Sequence, residues 1–332
     1  MQKILVVQTA FIGDVVLATG LLESLHQQYP TAGISILVRK GNEALFNNHP
    51  FVKEVLVWDK KTNKYQHLFQ IIQEIRQRKF DLLINVQRFA ATGLITVFSG
   101  AKTTIGFDKN PFSLFFSKRI KHFFSKGDID LHEIQRNHQL IATEEQPEPA
   151  RPKLYPSDAD FAAVASYTQQ PYICMAPASV WFTKQYPETQ WIKLLQLIPK
   201  QFQVYLLGAP SDGDTCNRIL AAANCSNVKS LAGQLNFLQS AALMQTAVMN
   251  YVNDSAPMHF ASSVNAPVTA IYCSTIPAFG YGPLSDKKHI VEVKQALDCR
   301  PCGIHGRKEC PKGHFNCANL IDQADLLATL PA

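Results

Sequence analysis

The sequence predicts an α/β protein made of two doubly wound parallel-sheet domains, and two observations carry this prediction. Short apolar runs alternate with helical patterns along almost the whole chain, which is the order of parallel βαβ units. The alternation is interrupted at residues 144–156, where EEQPEPARPKLYP has four prolines and no apolar periodicity. We therefore expect a linker there and two domains, at residues 1–150 and 151–332.

The individual elements follow from these runs in chain order. In the first domain they predict strands at residues 4–7, 34–38, 55–58 and 82–86, with helices from Asp14 and over residues 68–78. In the second domain they predict strands at residues 172–175, 204–208, 248–252 and 268–272, with helices over residues 187–198 and 214–223 and from Pro257. Ligands of such sheets bind beyond the carboxyl ends of the strands. We expect function in a cleft between the domains, lined by residues 9–14, 176–187, 208–214 and 253–259.

The composition excludes several classes of protein. With 46% apolar and 17% charged residues, the 332-residue chain is expected to be folded and globular. Its apolar windows fall short of the roughly 18 residues of a membrane span, and KILVVQT begins the chain where a leader would stand, so a cytoplasmic protein is predicted. Neither G-x-G-x-x-G after a strand nor G-x4-G-K-[ST] occurs, which disfavours a dinucleotide enzyme and a Walker nucleotidase.

The segment DSAPMH, residues 254–259, is the most informative stretch of the chain. It joins an apolar run to a helical pattern, so free backbone N–H groups and a helix dipole point at one place. Pro257 suits a first helical turn, where its missing N–H is not needed. The segment is interpreted either as an anion site or as an ordinary turn in which Asp254 or Ser255 caps the helix.

Two other loops supply candidate chemistry. APASVWFTKQYP carries the hydroxyls of Ser179 and Thr183 and the amine of Lys184, which is either a charge facing a bound anion or an exposed lysine without a partner. Gly13 and Asp14 stand between a strand and an amphipathic helix. Asp14 is either the N-cap of that helix or, because a carboxylate stays ionised there, a base for a substrate hydroxyl.

A basic stretch at residues 102–126 holds much of the net charge of +6 and is interleaved with phenylalanines. It is either a solvated basic face or a surface for an anionic membrane or acceptor, to which its amphipathic character is better suited than to duplex nucleic acid.

The cysteine pattern C-x2-C-x7-C-x6-C follows near the C-terminus, with two histidines nearby. It predicts either a structural metal site or free or redox-active thiols, at Cys299, Cys302, Cys310 and Cys317.

Four segments together resemble the bacterial heptosyltransferases, glycosyltransferase family 9. They are KILVVQTAFIGDVVLATGLLESL, APASVWFTKQYP, NDSAPMHFASSVNAPVTAIY, and a tail of C-x-P-C followed by C-P-x-G-H-F-x-C that is similar to the heptosyltransferase II branch. The resemblance covers nearly the whole chain in order. It implies a GT-B fold, with the acceptor on the first domain and a nucleotide-sugar on the second, and inverting transfer that needs neither metal nor cofactor.

The resemblance also implies roles for single residues. Asp14 would be the general base, and Lys184 would stabilise the leaving diphosphate. The donor would be bound by Ser179, Thr183, Gly208, Asp214, Asp254, Ser255, Ala256, Met258 and His259. The acceptor would be bound by Gly13, Arg88, Lys118 and Arg119. Where relatives often carry Thr-Gly or Ser-Gly, this chain has Ser255-Ala256, followed by Pro257.

The expected reaction is transfer of heptose from ADP-heptose to the anionic inner core of lipopolysaccharide. The expected partners are the ADP-sugar, that acceptor and, transiently, the inner face of the inner membrane, but no nucleic acid. Three alternatives stay open: a transferase for another nucleotide-sugar, a GT-B nucleotide-sugar epimerase, and a degenerate sugar-nucleotide-binding protein. An epimerase would form product from the donor alone.

Overall fold

The computed structural model describes residues 2–126 and 129–331. The chain divides into two compact units, Met1–Tyr155 and Pro156–Ala332. This division lies five residues beyond the expected boundary at residue 150. The difference arises because residues 150–155 pack against the first unit.

The contacts of that segment explain its position. The N–H of Ala150 donates to Ser24 Oγ at 3.0 Å, and the Tyr155 hydroxyl donates to Glu23 at 2.8 Å. Gly20 permits this approach, because a Cβ there would lie 2.7 Å from the Ala150 carbonyl oxygen. The final part of the proline-rich stretch is therefore held on the first helix.

The first unit contains a six-stranded parallel sheet in the order β3-β2-β1-β4-β5-β6. Its strands and helices are β1 (Lys3–Val7), α1 (Ile12–Gln28), β2 (Gly33–Arg39), β3 (Val52–Trp58), α2 (Lys64–Arg78), β4 (Leu82–Asn85), α3 (Ala90–Phe98), β5 (Thr103–Phe107), β6 (Lys118–Ile120), β7 (Ser125–Lys126), β8 (Ile129–Asp130) and α4 (Glu133–His138). The short strands β7 and β8 pair antiparallel outside the main sheet.

The second unit repeats this order with β11-β10-β9-β12-β13-β14, again all parallel. Its elements are α5 (Asp158–Val164), β9 (Tyr172–Ala176), α6 (Glu188–Leu197), β10 (Gln203–Leu206), α7 (Gly213–Ala223), β11 (Val228–Ser230), α8 (Phe237–Gln245), β12 (Met249–Asn253), α9 (Ala256–Ser263), β13 (Val268–Tyr272), β14 (Lys288–Glu292), α10 (Asn316–Asn319) and α11 (Gln323–Leu327). Both sheets thus confirm the predicted doubly wound class.

The central strands are mostly apolar because helices cover both faces of each sheet. Every residue of β9, β12 and β13 is buried. In a doubly wound sheet the strand order reverses between the first and fourth strands, and the loops that leave them open a crevice. This reversal lies between β1 and β4 in one unit and between β9 and β12 in the other.

The expected sheets were incomplete. They ended at residues 86 and 272, whereas the structure extends them with β5 and β6 in the first unit and with β14 in the second, and it adds β11 at the opposite edge. Outer strands lack a continuous apolar run because one edge or face meets solvent, as in β6 and β14.

In the described part of the chain, no helix combines the length and apolarity needed to cross a membrane.

Candidate functional site

A polar cluster lies where β9 and β12 end in the second unit, and Asn253 organises it. This fully buried side chain accepts the Tyr186 N–H at 2.9 Å and donates to the Pro177 carbonyl at 2.8 Å. The amide therefore ties both ends of the loop after β9 to the end of β12. Asn253 was not among the predicted site residues, although a polar residue at the end of a buried strand is a usable signal.

Lys184 and Asp254 form an ion pair in this cluster. Lys184 Nζ lies 2.8 Å from Asp254 Oδ2, with side chains 16% and 6% exposed, and the same oxygen accepts the Thr275 hydroxyl at 2.6 Å. The interpretation of Lys184 as an exposed lysine without a partner is therefore wrong. The pair joins two of the loops that carry the second unit's candidate residues, the loop after β9 and the loop after β12.

The start of α9 lies beside that pair. Ser255 is the N-cap residue by backbone conformation, and Pro257 stands in the first turn as expected. Among the described residues no side chain caps this helix: Ser255 Oγ is 3.4 Å from the Asn253 carbonyl, and Asp254 binds Lys184 instead. The side-chain capping interpretation is thus not supported, and the Ala256 N–H belongs to a helix start that suits an anion.

Besides Asp254, three of the expected donor residues are buried. Thr183 is 1% exposed, and its hydroxyl oxygen accepts the Arg307 N–H at 2.7 Å and the Ser274 hydroxyl at 2.9 Å. Within α9, Met258 is fully buried and His259 is 5% exposed. By contrast, Ser179 and Ser255 are partly exposed.

The remaining candidates of this unit follow β10. Gly208 lies close to Asp212, where a Cβ on the glycine would be 2.8 Å from the aspartate Cβ. Asp212 accepts the N–H of Ala209 at 2.8 Å and precedes α7. Asp214 is exposed in the first turn of α7. This helix follows β10, which is the neighbour of β9 in the sheet.

Asp14 lies in the first turn of α1, as its third residue. The N-cap interpretation of Asp14 is wrong, because the helix starts at Ile12 after an extended Phe11, whose carbonyl accepts the Val15 N–H at 3.2 Å. Asp14 and Gly13 are both partly exposed. The dipole of α1 favours an ionised carboxylate at this position.

A second polar network lies beside this loop and was missed in the sequence. Lys60 Nζ donates to the carbonyl and the hydroxyl oxygen of Thr9, both at 2.7 Å, and the Thr9 N–H donates to Gln87 Oε1 at 3.0 Å. Burial, with further contributions from the charges of Arg39 and Lys64, lowers the pKa of Lys60 to about 8. The residues come from the ends of different strands, so no local pattern links them.

The predicted basic stretch forms an exposed surface of mixed aromatic and basic residues. Asn110 Nδ2 donates to the carbonyls of Gln87 and Phe89, both at 3.1 Å, which joins the segments after β4 and β5. We call these exposed side chains the aromatic–basic surface: Arg88, Phe89, Leu114, Phe115, Lys118, Arg119, Lys121, Phe123 and Phe124. The side chain of Lys126 lies outside the described residues.

The aromatic and basic side chains of this surface also contact one another. The Arg88 guanidinium lies 5.6 Å from the Phe124 ring centroid, and Lys121 Nζ lies 5.0 Å from that of Phe123. Leu114 and Phe115 are 77% and 70% exposed. A purely solvated basic face would not present such side chains.

The four C-terminal cysteines and His314 line one cavity of about 320 Å³. Cys302 Sγ lies 3.2 Å from the Cys299 carbonyl, and Cys299 Sγ is 4.0 Å from His314 Nε2. Burial first, and then the neighbouring thiols, raise the pKa of Cys317 to about 11. Within the described ranges, no three His, Cys, Asp or Glu side chains are grouped closely enough for a metal ion, and all eight cysteines are free.

Comparisons with known proteins agree with this fold. The chain is 24% identical to lipopolysaccharide heptosyltransferase 2 of Escherichia coli K12, over 88% of each chain. The structure of E. coli ADP-heptose LPS heptosyltransferase II is similar, with a TM-score of 0.77, 22% identity and coverage of 98% of this chain and 99% of that one. A family 9 glycosyltransferase from Veillonella parvula has a TM-score of 0.83 at 20% identity, covering 99% and 95%.

These structural likenesses identify the architecture as GT-B, as the resemblance implied. The model of glycosyltransferase family 9 (heptosyltransferase) matches residues 68–312, which is well over half of the chain. The matched region includes the loop after β9, the Lys184–Asp254 pair and most of the cysteine-rich tail. The chain is therefore a glycosyltransferase and belongs to glycosyltransferase family 9.

Proposed function

We propose that this glycosyltransferase moves heptose from ADP-heptose to the core of lipopolysaccharide, with inversion and without a metal. The observation that carries the proposal is the Lys184–Asp254 pair beside the N-terminus of α9. The names of the relatives supply the sugar and the acceptor, since one is a lipopolysaccharide heptosyltransferase and another is an ADP-heptose LPS heptosyltransferase.

The donor diphosphate is proposed to lie at the start of α9. Its negative charge suits the positive end of the helix dipole and the amine of Lys184. Asp254 holds that amine at 2.8 Å, so the lysine is already oriented before charge develops on the leaving group. Lys184 and the helix dipole would then stabilise the transition state more than the ground state, because negative charge on the diphosphate grows as the glycosidic bond breaks.

Asp14 is proposed to be the general base. Its carboxylate removes the proton from an acceptor hydroxyl while that oxygen bonds to the anomeric carbon. The bond from this carbon to the diphosphate oxygen breaks on the opposite side, so the sugar configuration inverts. The dipole of α1 favours the ionised form of Asp14, which is the form that can accept the proton.

One assay separates this proposal from its alternatives. Purified protein is incubated with ADP-heptose, or with a UDP-sugar, in the presence and absence of a heptose-lacking lipopolysaccharide core. We expect ADP release that requires both ADP-heptose and the core. Conversion of the donor alone would indicate an epimerase. Preference for the UDP-sugar would indicate a transferase for another nucleotide-sugar, and binding without turnover would indicate a degenerate sugar-nucleotide-binding protein.

The aromatic–basic surface is proposed to contact the membrane that carries the acceptor. Basic side chains are attracted by anionic lipid head groups, and exposed apolar side chains enter the boundary between head groups and acyl chains. Lys118 and Arg119 lie on the edge strand β6, beside Leu114 and Phe115, so both kinds of contact are available at one place.

Replacing Leu114 and Phe115 with serine tests this contact. We expect affinity for vesicles containing anionic phosphatidylglycerol to fall by about 10-fold or more, because two partly inserted apolar side chains are lost. Sedimentation with vesicles measures this affinity. Transfer to a water-soluble acceptor shows whether the variant is still an active enzyme. Serine at Tyr65 and Phe69, aromatic residues on α2 that are 80% and 61% exposed, is the control. Equal loss in both double variants would contradict a specific surface.

A further inference from the structure

The cysteine-rich tail is hydrogen-bonded to the turn that carries Lys184. This turn is a short 3-10 helix, Phe182–Lys184. The Arg307 N–H donates to Thr183 Oγ1 at 2.7 Å, and the Thr183 N–H donates to the Arg307 carbonyl at 3.1 Å. Two residues that are 124 positions apart are thus joined by reciprocal bonds.

Ser274 adds a second connection between the same segments. Its N–H donates to the Thr183 carbonyl at 3.2 Å, and its hydroxyl donates to Thr183 Oγ1 at 2.9 Å. The Cys302 N–H in turn donates to the Ser274 carbonyl at 2.8 Å. Thr183 and Ser274 are both buried, so these bonds are shielded from water and hold the turn firmly.

Gly306 lies directly against the aliphatic stem of Lys184. A Cβ on Gly306 would lie 2.9 Å from Lys184 Cγ and 3.1 Å from Thr183 Oγ1. The far end of the lysine is held by Asp254 at 2.8 Å. With its stem against one backbone and its amine on one carboxylate, the side chain has little room to take another position.

We propose that Gly306 and the Arg307 backbone are positioning residues that hold Lys184 in place for the donor diphosphate. The inference rests on the proposed function of Lys184 and extends it to the tail. A lysine is a flexible point charge, and an electrostatic group acts best when it is oriented before the reaction. The tail thereby becomes part of the support of the donor site rather than a separate appendage.

Gly306→Ala tests the inference, and Gly313→Ala is its matched control. Both glycines lie in the tail in the left-handed region, with φ of +76° and +73°, so alanine bears comparable backbone strain at either position. At Gly313 a Cβ would meet no described atom within 4 Å. We expect Gly306→Ala to lower kcat about 10-fold or more below Gly313→Ala, with similar melting temperatures and a smaller change in donor KM.

A double variant shows whether Gly306 acts through Lys184. We expect Lys184→Ala combined with Gly306→Ala to be no slower than Lys184→Ala alone. Ser274→Ala, which removes one bond to Thr183 without adding atoms, provides a second route if Gly306→Ala does not fold. It should also lower kcat, and again without further loss when Lys184 is absent.

The outcomes are distinguishable. If Lys184→Ala turns over normally, the proposed function of Lys184 fails and this inference fails with it. If Lys184→Ala is impaired but Gly306→Ala and Ser274→Ala match Gly313→Ala, the positioning inference alone is overturned. Additive losses in the double variants would likewise overturn it, because they would place the effect of the tail elsewhere.

Discussion

Asp14→Asn is expected to reduce transfer by about 100-fold to 10,000-fold, the usual contribution of a positioned general base. Asparagine keeps the shape of the side chain but cannot take the proton from the acceptor hydroxyl. Since Asp14 lies inside the first turn of α1, the change also removes a favourable charge–dipole interaction, worth about 0.3–1 kcal/mol. We therefore expect a small decrease in melting temperature and unchanged donor affinity.

Turnover at saturating donor, thermal unfolding and ADP binding measure these three quantities. Asp158→Asn is a matched control, because Asp158 is an exposed acid in the first turn of another helix, α5. It should show a similar small stability change and normal transfer. Activity of Asp14→Asn within a few fold of normal would leave Asp14 with an electrostatic role in α1 and the proposed reaction without its base.

Lys184→Ala is expected to lower turnover by about 100-fold or more, because it removes a charge that compensates the leaving diphosphate. The structure adds a second effect. Asp254, 6% exposed, would lose its cation, and an uncompensated buried charge destabilises a protein by about 3–5 kcal/mol when the site is dry. We expect less here, because Thr275 still donates to the carboxylate.

Adding Asp254→Asn separates the two effects of Lys184→Ala. The double variant removes the unpaired carboxylate, so its melting temperature should recover toward that of the unmodified protein while its turnover stays low. Thermal unfolding and kcat at saturating donor give the two readouts. Recovery of activity together with stability would mean that Lys184 serves folding and not the chemical step.

The predictable part of the fold was the part encoded in local runs. The central strands β1, β2, β9 and β12 each contain an apolar run because both faces of the sheet are covered, so each could be predicted without knowledge of its neighbours. The polar edge strands β6 and β14 gave no such signal. Their place in a sheet depends on the strands already formed beside them, β5 and β13.

The candidate site divides in the same way. DSAPMH indicated a helix start with Pro257 in its first turn, and the structure confirms it. This feature was predictable because a few consecutive residues determine where a helix begins. The start of α1 was misplaced by two residues, since Asp14 resembles an N-cap by type but Phe11 takes that backbone position. Residue preference at a helix end is a weak signal, because tertiary packing can place the end of the helix at another residue.

By itself, the sequence determined the two doubly wound sheets, the loops at their carboxyl ends and the resemblance to family 9. The tertiary structure alone decided which side chains meet there. Lys184 binds Asp254, and Thr183 binds Arg307 from the distant tail, while Lys60 binds Thr9 in the other unit. Periodicity and turn chemistry act between near neighbours in the chain, whereas these contacts form only when packed sheets bring remote loops to one edge.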